Sequence, residues 1–283
     1  MANFSELILT LPHTSIAAIA WGPKHGQPIL AVHGWLDNAA SFIPLIPYLQ
    51  GYRVVAIDLP GHGLSAHIPA GHYLHLVDYI VDIIRILDHL NWDRATLLGH
   101  SLGAGISSVV AGTVPERIVS LALLDGIGTI TATPATSADM MRTAVEHYTN
   151  KHAKKLPYYA NMEDAIIARS LASSMQRKSI ELLISRGLKN TEHGLTWRTD
   201  PRLLFSPLVL PTEEQLESFL QRISAATCFI RPETGWPYDE EMLNNRLNIV
   251  KNIKLHSIPG RHHVHMDSPE LVGPILYGFF ANQ

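Results

Sequence analysis

The chain has 283 residues, of which 46% are hydrophobic and 17% are charged. This balance is typical of a globular protein with a sizeable core and argues against disorder. The formal net charge of −3 provides no excess of basic groups for a polyanion, so we expect no nucleic-acid partner.

The sequence pattern predicts neither a secretory signal nor a membrane span. The first residues lack the charged region and apolar run of a signal peptide, and no window reaches about 20 uninterrupted apolar residues. The single cysteine, Cys228, lies in an apolar run that predicts a buried strand position. Because it has no partner for an intrachain disulfide, an oxidising compartment is not required. We expect a cytoplasmic protein.

Short apolar runs alternate with helical patterns along most of the chain, which is typical of a mainly parallel sheet. Predicted strands span 7–11, 15–20, 28–32, 52–57, 95–98, 118–124, 226–230 and 253–258, and the first two are expected to form an antiparallel edge. Predicted helices span 39–50, 76–87, 102–113 and 269–280.

The alternation stops between 127 and 216, where the pattern is mostly helical and contains no convincing buried strand. A sheet that is interrupted by a helical insertion predicts a core of residues 1–126 and 217–283 with a cap of residues 127–216. We call residues 127–216 the cap segment.

The most specific motif is Gly99-His100-Ser101-Leu102-Gly103, which follows a predicted strand and precedes a predicted helix. It matches G-x-S-x-G, the pattern of a nucleophile elbow. A serine on so sharp a turn leaves no room for side chains two residues away on either side, and the glycines remove that collision. The next helix directs its N-terminus at the site, where it favours negative charge. We therefore predict Ser101 as a nucleophile.

Four segments carry a wider resemblance: His-Gly-Trp-Leu-Asp-Asn at 33–38, Asp-Leu-Pro-Gly-His-Gly-Leu-Ser at 58–65, the elbow at 99–103, and Gly-Leu-Thr-Trp-Arg-Thr-Asp-Pro at 194–201. Together they resemble the α/β-hydrolase superfamily, and within it the serine hydrolase-like branch. The resemblance implies an α/β-hydrolase fold, with a mostly parallel central sheet, flanking helices and a helical cap insertion. It also implies a catalytic triad in the chain order serine, acid, histidine.

The histidine is expected in the terminal loop, where the family presents it on a glycine-rich turn some seven residues before Pro-Glu. Pro269-Glu270 sets a register that selects His262. His263 is the rival candidate, and His265 resembles a histidine with a supporting role.

Two carboxylates compete for the acid. In most of the family the acid follows the strand after the cap, but here Gly235 occupies that position and Glu233 is shifted by two residues. In some branches the acid ends the strand before the cap, where this chain has Asp125. We favour Asp125 and keep Glu233 as the alternative; Asp125 could also be a turn residue that ends a strand. Asp267 is too close in sequence to the histidine.

The resemblance also implies an oxyanion hole. One donor is the backbone N–H of Leu102, which follows the nucleophile, and the second is the N–H of Trp35, after the first central strand. The Trp35 side chain could in addition be a packing aromatic beside the site.

No cofactor or metal is expected. His262, His263 and His265 are too close together in sequence for all three to converge on one ion unaided. His62 is read as a loop residue of the family rather than a ligand.

These features predict a serine hydrolase, specifically a carboxylesterase, that cleaves an ester of a small or medium-sized substrate through an acyl-enzyme. Thioester, lactone, amide and carbon–carbon bond hydrolases keep the same motifs and remain alternatives. So does a ligand-binding protein with a hydrolase-like pocket. Dehalogenases and epoxide hydrolases would need a carboxylate in place of Ser101. A homodimer is compatible with the sequence.

Overall fold

The computed structural model describes residues 4–73, 75–149 and 155–283. Its strands are β1 (Ser5–Thr10), β2 (Ser15–Trp21), β3 (Pro28–Val32), β4 (Arg53–Ile57), β5 (Ala95–His100), β6 (Ile118–Leu124), β7 (Tyr158–Tyr159), β8 (Leu188–Thr191), β9 (Gly194–Trp197), β10 (Ala226–Thr234) and β11 (Ile253–Arg261).

The central sheet has eight strands in the order β1-β2-β4-β3-β5-β6-β10-β11. Strand β2 runs antiparallel to both β1 and β4, and every other neighbouring pair is parallel. The predicted antiparallel edge and the mostly parallel sheet are therefore confirmed. Since β3, β5, β6, β10 and β11 are parallel, their carboxyl ends meet at one edge of the sheet, where ligands bind in open α/β sheets.

The α-helices are α1 (Leu76–His89), α2 (Leu102–Thr113), α3 (Ser137–Thr149), α4 (Met162–Ala172), α5 (Arg177–Gly187), α6 (Glu213–Leu220), α7 (Glu240–Ile249), α8 (Val264–Asp267) and α9 (Pro269–Phe280). Within the described residues, no helix is both long enough and apolar enough to cross a membrane.

Both faces of the central sheet are covered, because successive strand residues point to opposite sides. In β5, Leu97 belongs to the apolar cluster that α1 and α2 cover, whereas Leu98 belongs to the cluster formed with Phe42 and with Leu276 of α9. Cys228 in β10 is fully buried in the second cluster, which confirms the strand prediction.

Two local expectations differ from the structure. The helix predicted over 39–50 is a 3₁₀ helix over Ala39–Tyr48, because Pro44 and Pro47 have no backbone N–H with which to continue an α-helical ladder. The cap segment also contains a three-stranded sheet in the order β7-β9-β8. These strands have two to four residues and are mostly half-buried, so they present no continuous apolar run to recognise.

The cap segment is joined to the sheet by an ion network around the buried pair Arg186 and Asp58. Arg186 of α5 donates to both carboxylate oxygens of Asp58, at 2.9 and 3.0 Å, and to Glu6 of β1 at 2.7 Å. Asn38 donates to the Leu183 carbonyl at 2.9 Å. These contacts position the cap segment beside the carboxyl edge of the sheet. The boundaries proposed for core and cap stay a prediction.

Candidate active site

Ser101 occupies the turn between β5 and α2 in a strained backbone conformation, with φ 51° and ψ −115°. A Cβ at Gly99 would lie 2.5 Å from the Ala104 Cα, and one at Gly103 would lie 2.0 Å from the Val32 carbonyl oxygen. Both positions therefore require glycine, as the elbow pattern predicts. This strained conformation is maintained because the turn packs closely against both β3 and α2.

A continuous hydrogen-bonded chain joins three of the predicted residues. The Ser101 Oγ lies 2.9 Å from the His262 Nε2, and the His262 Nδ1 lies 2.6 Å from the Asp125 Oδ2. Ser101 follows β5, Asp125 follows β6, and His262 follows β11. Because these strands are parallel, their ends bring together residues that are 161 and 137 positions apart.

Asp125 is buried, and its left-handed backbone (φ 46°) turns the carboxylate toward His262. The Trp236 N–H donates to the Asp125 Oδ2 at 2.7 Å. A Cβ at Gly235 would lie 2.3 Å from that oxygen and 2.6 Å from the Asp125 Oδ1. The position at which most of the family carries its acid is thus glycine here, and the Asp125 carboxylate occupies the adjoining space.

The other sequence candidates lie elsewhere. Glu233 is exposed and makes no side-chain hydrogen bond within the described residues. Asp267 accepts from Ser179 and from the Gln176 N–H in the cap segment. His263 points its Nε2 at Asp37, 3.1 Å away, rather than at Ser101. His265 is fully buried, and its ring lies 4.2 Å from that of His100.

The two predicted oxyanion donors sit at the ends of adjacent strands. Leu102 is the first residue of α2, so its N–H has no helical acceptor, and Trp35 follows β3. Neither amide donates to a protein acceptor within 4–73, 75–149 and 155–283. The Trp35 indole is 52% exposed and donates to the Leu203 carbonyl at 3.1 Å. Trp35 belongs to a turn of residues 34–37, which we call the Trp35 turn. The indole contact with the 3₁₀ turn at Pro201–Leu204 holds the Trp35 turn against the cap segment.

The sequence did not predict a buried cluster that contacts His262 and His263, the two residues after β11, whose segment we call the histidine loop. Asp37 accepts from Arg169 and lies beside His263 and His100, and the His100 Nε2 donates to the His262 carbonyl at 2.9 Å. The charged and polar partners hold the pKa of Asp37 well below its usual range, against the opposing effect of burial. Burial lowers the pKa of His100 to about 4. The variable second position of the elbow motif gave no signal for His100.

Two further histidines, His33 and His62, are buried as neutral rings whose centroids lie 5.0 Å apart. His33 donates through Nδ1 to the Gly34 carbonyl and accepts the Leu59 N–H at Nε2, a pairing that only a neutral ring provides. Burial lowers the pKa of His33 to about 4 and that of His62 to about 3. His62 is therefore a buried loop residue.

Asp37, His100 and His263 are, within the described residues, a group that could hold a metal, with ligand atoms within 4.8 Å of one another. The second oxygen of Asp37 already binds the Arg169 guanidinium at 2.9 Å. A divalent cation would therefore enter beside a fixed, largely buried positive charge, which opposes its binding.

Comparison with known proteins places these features in a family. The family model described as "alpha/beta hydrolase fold" matches residues 27–179, more than half of the chain. Serine hydrolase-like protein 2 of Homo sapiens is 33% identical over 97% of this chain and 93% of its own length. A serine hydrolase-like protein of Danio rerio is 27% identical over 99% of this chain and 89% of its own length.

A solved structure, that of a hypothetical protein from Pseudomonas aeruginosa, superposes with a TM-score of 0.93 at 37% identity. It covers 98% of this chain and 99% of its own. These comparisons support a hydrolase. The chain belongs to the α/β-hydrolase superfamily, in its serine hydrolase-like branch.

Proposed function

We propose that the protein is a carboxylesterase that cleaves esters of small or medium-sized substrates through an acyl-enzyme on Ser101. The observation that carries this proposal is the unbroken hydrogen-bonded chain from the Ser101 Oγ through the His262 ring to the Asp125 carboxylate. A serine hydroxyl is a weak nucleophile at neutral pH, and a hydrogen-bonded histidine provides the base that activates it.

In the first half-reaction the His262 Nε2 takes the proton of Ser101 as its Oγ attacks the ester carbonyl. The Oγ–carbon bond forms, and the carbonyl electrons move onto oxygen. The N–H groups of Leu102 and Trp35 stabilise that oxyanion. When the tetrahedral intermediate collapses, the ester C–O bond breaks and His262 protonates the leaving alcohol.

In the second half-reaction water repeats the attack. His262 removes a proton from the water as the water oxygen adds to the acyl carbonyl. The second tetrahedral intermediate then collapses: the carbon–Oγ bond breaks, His262 returns the proton to the Ser101 Oγ, and the carboxylic acid is released. Asp125 accepts the His262 Nδ1–H throughout. This bond sets the tautomer and stabilises the imidazolium formed in each step.

Two exposed aromatic side chains favour an organic substrate at this site. The Trp236 ring lies 5.9 Å from the His262 ring and is 43% exposed, and Trp35 is 52% exposed. Large apolar surface beside polar reacting groups is typical of sites for small organic ligands.

The test is covalent labelling with a fluorophosphonate, followed by hydrolysis of p-nitrophenyl esters of increasing acyl length. We expect labelling and turnover in the wild type, and loss of both in Ser101→Ala. The matched control is Ser170→Ala, an exposed serine of α4, which should keep both. Labelling that persists in Ser101→Ala would refute the nucleophile.

The same panel separates the ester from other acyl bonds. We expect esters to have a higher kcat/KM than matched thioesters, lactones and anilides. A higher value for one of those groups would replace the ester assignment and leave the nucleophile unchanged. Binding without any turnover in a labelled protein would favour a ligand-binding role.

A further inference from the structure

Asp37 is a buried carboxylate that three basic side chains from separate parts of the chain approach. Its Oδ1 accepts from Arg169 at 2.9 Å, and its Oδ2 lies 3.1 Å from the His263 Nε2 and 3.5 Å from the His100 Nδ1. The proposed mechanism uses none of these four groups. Each of the two histidines nevertheless adjoins a residue that it does use, since His100 precedes Ser101 and His263 follows His262.

These contacts hold the backbone of His262 from two sides. The His262 carbonyl accepts the His100 Nε2–H at 2.9 Å, and the ring of the following residue, His263, is bound by Asp37. The ring centroids of His100 lie 4.8 Å from His262 and 5.0 Å from His263. A change in the position of the Asp37 carboxylate is therefore passed to the loop that carries the catalytic histidine.

The third contact comes from the cap segment. Arg169 lies on α4, its side chain is 16% exposed, and its Nη2 donates to the Asp37 Oδ1. Asp37 itself belongs to the turn that carries Trp35, where the Asp37 N–H donates to the Gly34 carbonyl at 3.2 Å. One carboxylate thus joins a cap helix, the proposed oxyanion turn and the histidine loop.

We propose that Asp37 is a positioning residue that ties helix α4, through Arg169, to the loop that carries His262. The inference rests on the proposed function, because it assigns the tie an effect on catalysis. An asparagine at this position has one acceptor oxygen and no charge, so it cannot bind both His263 and Arg169 as the carboxylate does, and one of the two backbone supports of His262 is weakened. Substrate binding is affected less, because Asp37 is buried behind the triad.

The test is a double-mutant cycle in the intact chain with Asp37→Asn, Arg169→Gln and the double variant. We expect Asp37→Asn to lower kcat on the order of 10- to 100-fold, as a misplacement of about 1 Å does, with KM changed less than kcat. Arg169→Gln should lower kcat by about 3- to 30-fold. The double variant should be no slower than Asp37→Asn, because the arginine acts through the carboxylate.

The matched control is Glu163→Gln on the same helix. Glu163 pairs with Arg177 at 2.6 Å, and both side chains are more than half exposed, so its removal should leave kcat within twofold of the wild type. Additive effects of Asp37→Asn and Arg169→Gln on kcat would refute the proposal that Arg169 acts on the histidine loop through Asp37. So would an unchanged kcat in a folded Asp37→Asn.

A second measurement is independent of turnover. The proton that the His262 Nδ1 donates to Asp125 across 2.6 Å should give a strongly deshielded proton resonance, which reports the geometry of that pair whether or not an ester is cleaved. We expect this resonance to shift or broaden in Asp37→Asn and to be unchanged in Glu163→Gln. An unchanged resonance in Asp37→Asn would refute the positioning role. Failure of the wild type to label at Ser101 would instead refute the proposed function.

Discussion

Gly235 offers a sharp test of the acid assignment, because its lack of a side chain leaves room for the Asp125 carboxylate. A methyl group at this position would lie 2.3 Å from the Asp125 Oδ2, the oxygen that His262 binds at 2.6 Å. Ordinary contact needs about 3.5 Å, so the carboxylate must move by about 1 Å. Gly235 does not adopt a positive φ, so alanine suits the backbone and the clash is local.

Gly235→Ala is therefore expected to lower kcat/KM on the order of 100-fold, or about 2.7 kcal/mol. The assay is p-nitrophenyl ester hydrolysis, together with a thermal melt to establish that the variant is folded. The control is Gly278→Ala, where a methyl group meets no atom within 4 Å. That variant should keep full activity and gain a little stability as a helical alanine.

A relocation variant makes the test decisive. Asp125→Gly with Gly235→Asp moves the acid to the position that most of the family uses, and glycine suits the φ of 46° at residue 125. We expect it to recover part of the activity that Asp125→Gly loses. A folded Gly235→Ala within twofold of the wild type would refute this account of the acid. Activity loss in Glu233→Gln, an exposed residue, would do the same.

Three further predictions concern stability and reactivity. Gly103→Ala should destabilise the protein by about 1–3 kcal/mol or prevent folding, because its methyl group would lie 2.0 Å from a backbone oxygen of β3; an unchanged melting temperature would contradict this. The melting temperature should fall as the pH drops from 6.5 toward 4, because burial lowers the pKa of His33 and His100 to about 4 and of His62 to about 3. As the pH falls, the unfolded chain takes up these protons before the folded chain does. The free energy of unfolding is therefore highest above pH 6.5, and below it each histidine lowers it by about 1.4 kcal/mol per pH unit. A melting temperature that does not change between pH 6.5 and 4 would be inconsistent with neutral buried rings. Burial raises the pKa of Cys228 to about 12, so a thiol reagent should modify this cysteine only after unfolding. Rapid labelling of the native protein would show that Cys228 is accessible in the folded state.

Much of the scaffold could be predicted from short-range patterns. The alternation of apolar runs and helical patterns predicted the central strands. The glycines at 99 and 103 predicted the turn that the structure shows, because the steric limits on a turn depend on residues that are adjacent in sequence. The predictions of a homodimer and of a cytoplasmic location stay predictions.

The small sheet in the cap segment could not be predicted from short-range patterns. Its strands β8 and β9 have four residues each and are mostly half-buried. Whether such a segment pairs with another depends on what packs over it, and periodicity does not carry that information.

The sequence by itself determined the superfamily, the elbow at Ser101 and the candidate His262, since each depends on a local motif or its register. Only the tertiary structure shows that Asp125, and not Glu233, lies within hydrogen-bond distance of His262, because the distance from each carboxylate to His262 depends on how distant strands end beside one another. It alone also revealed Asp37, whose three basic neighbours come from positions 63, 132 and 226 residues away in the chain. Such convergence is a property of packing, which no local pattern encodes.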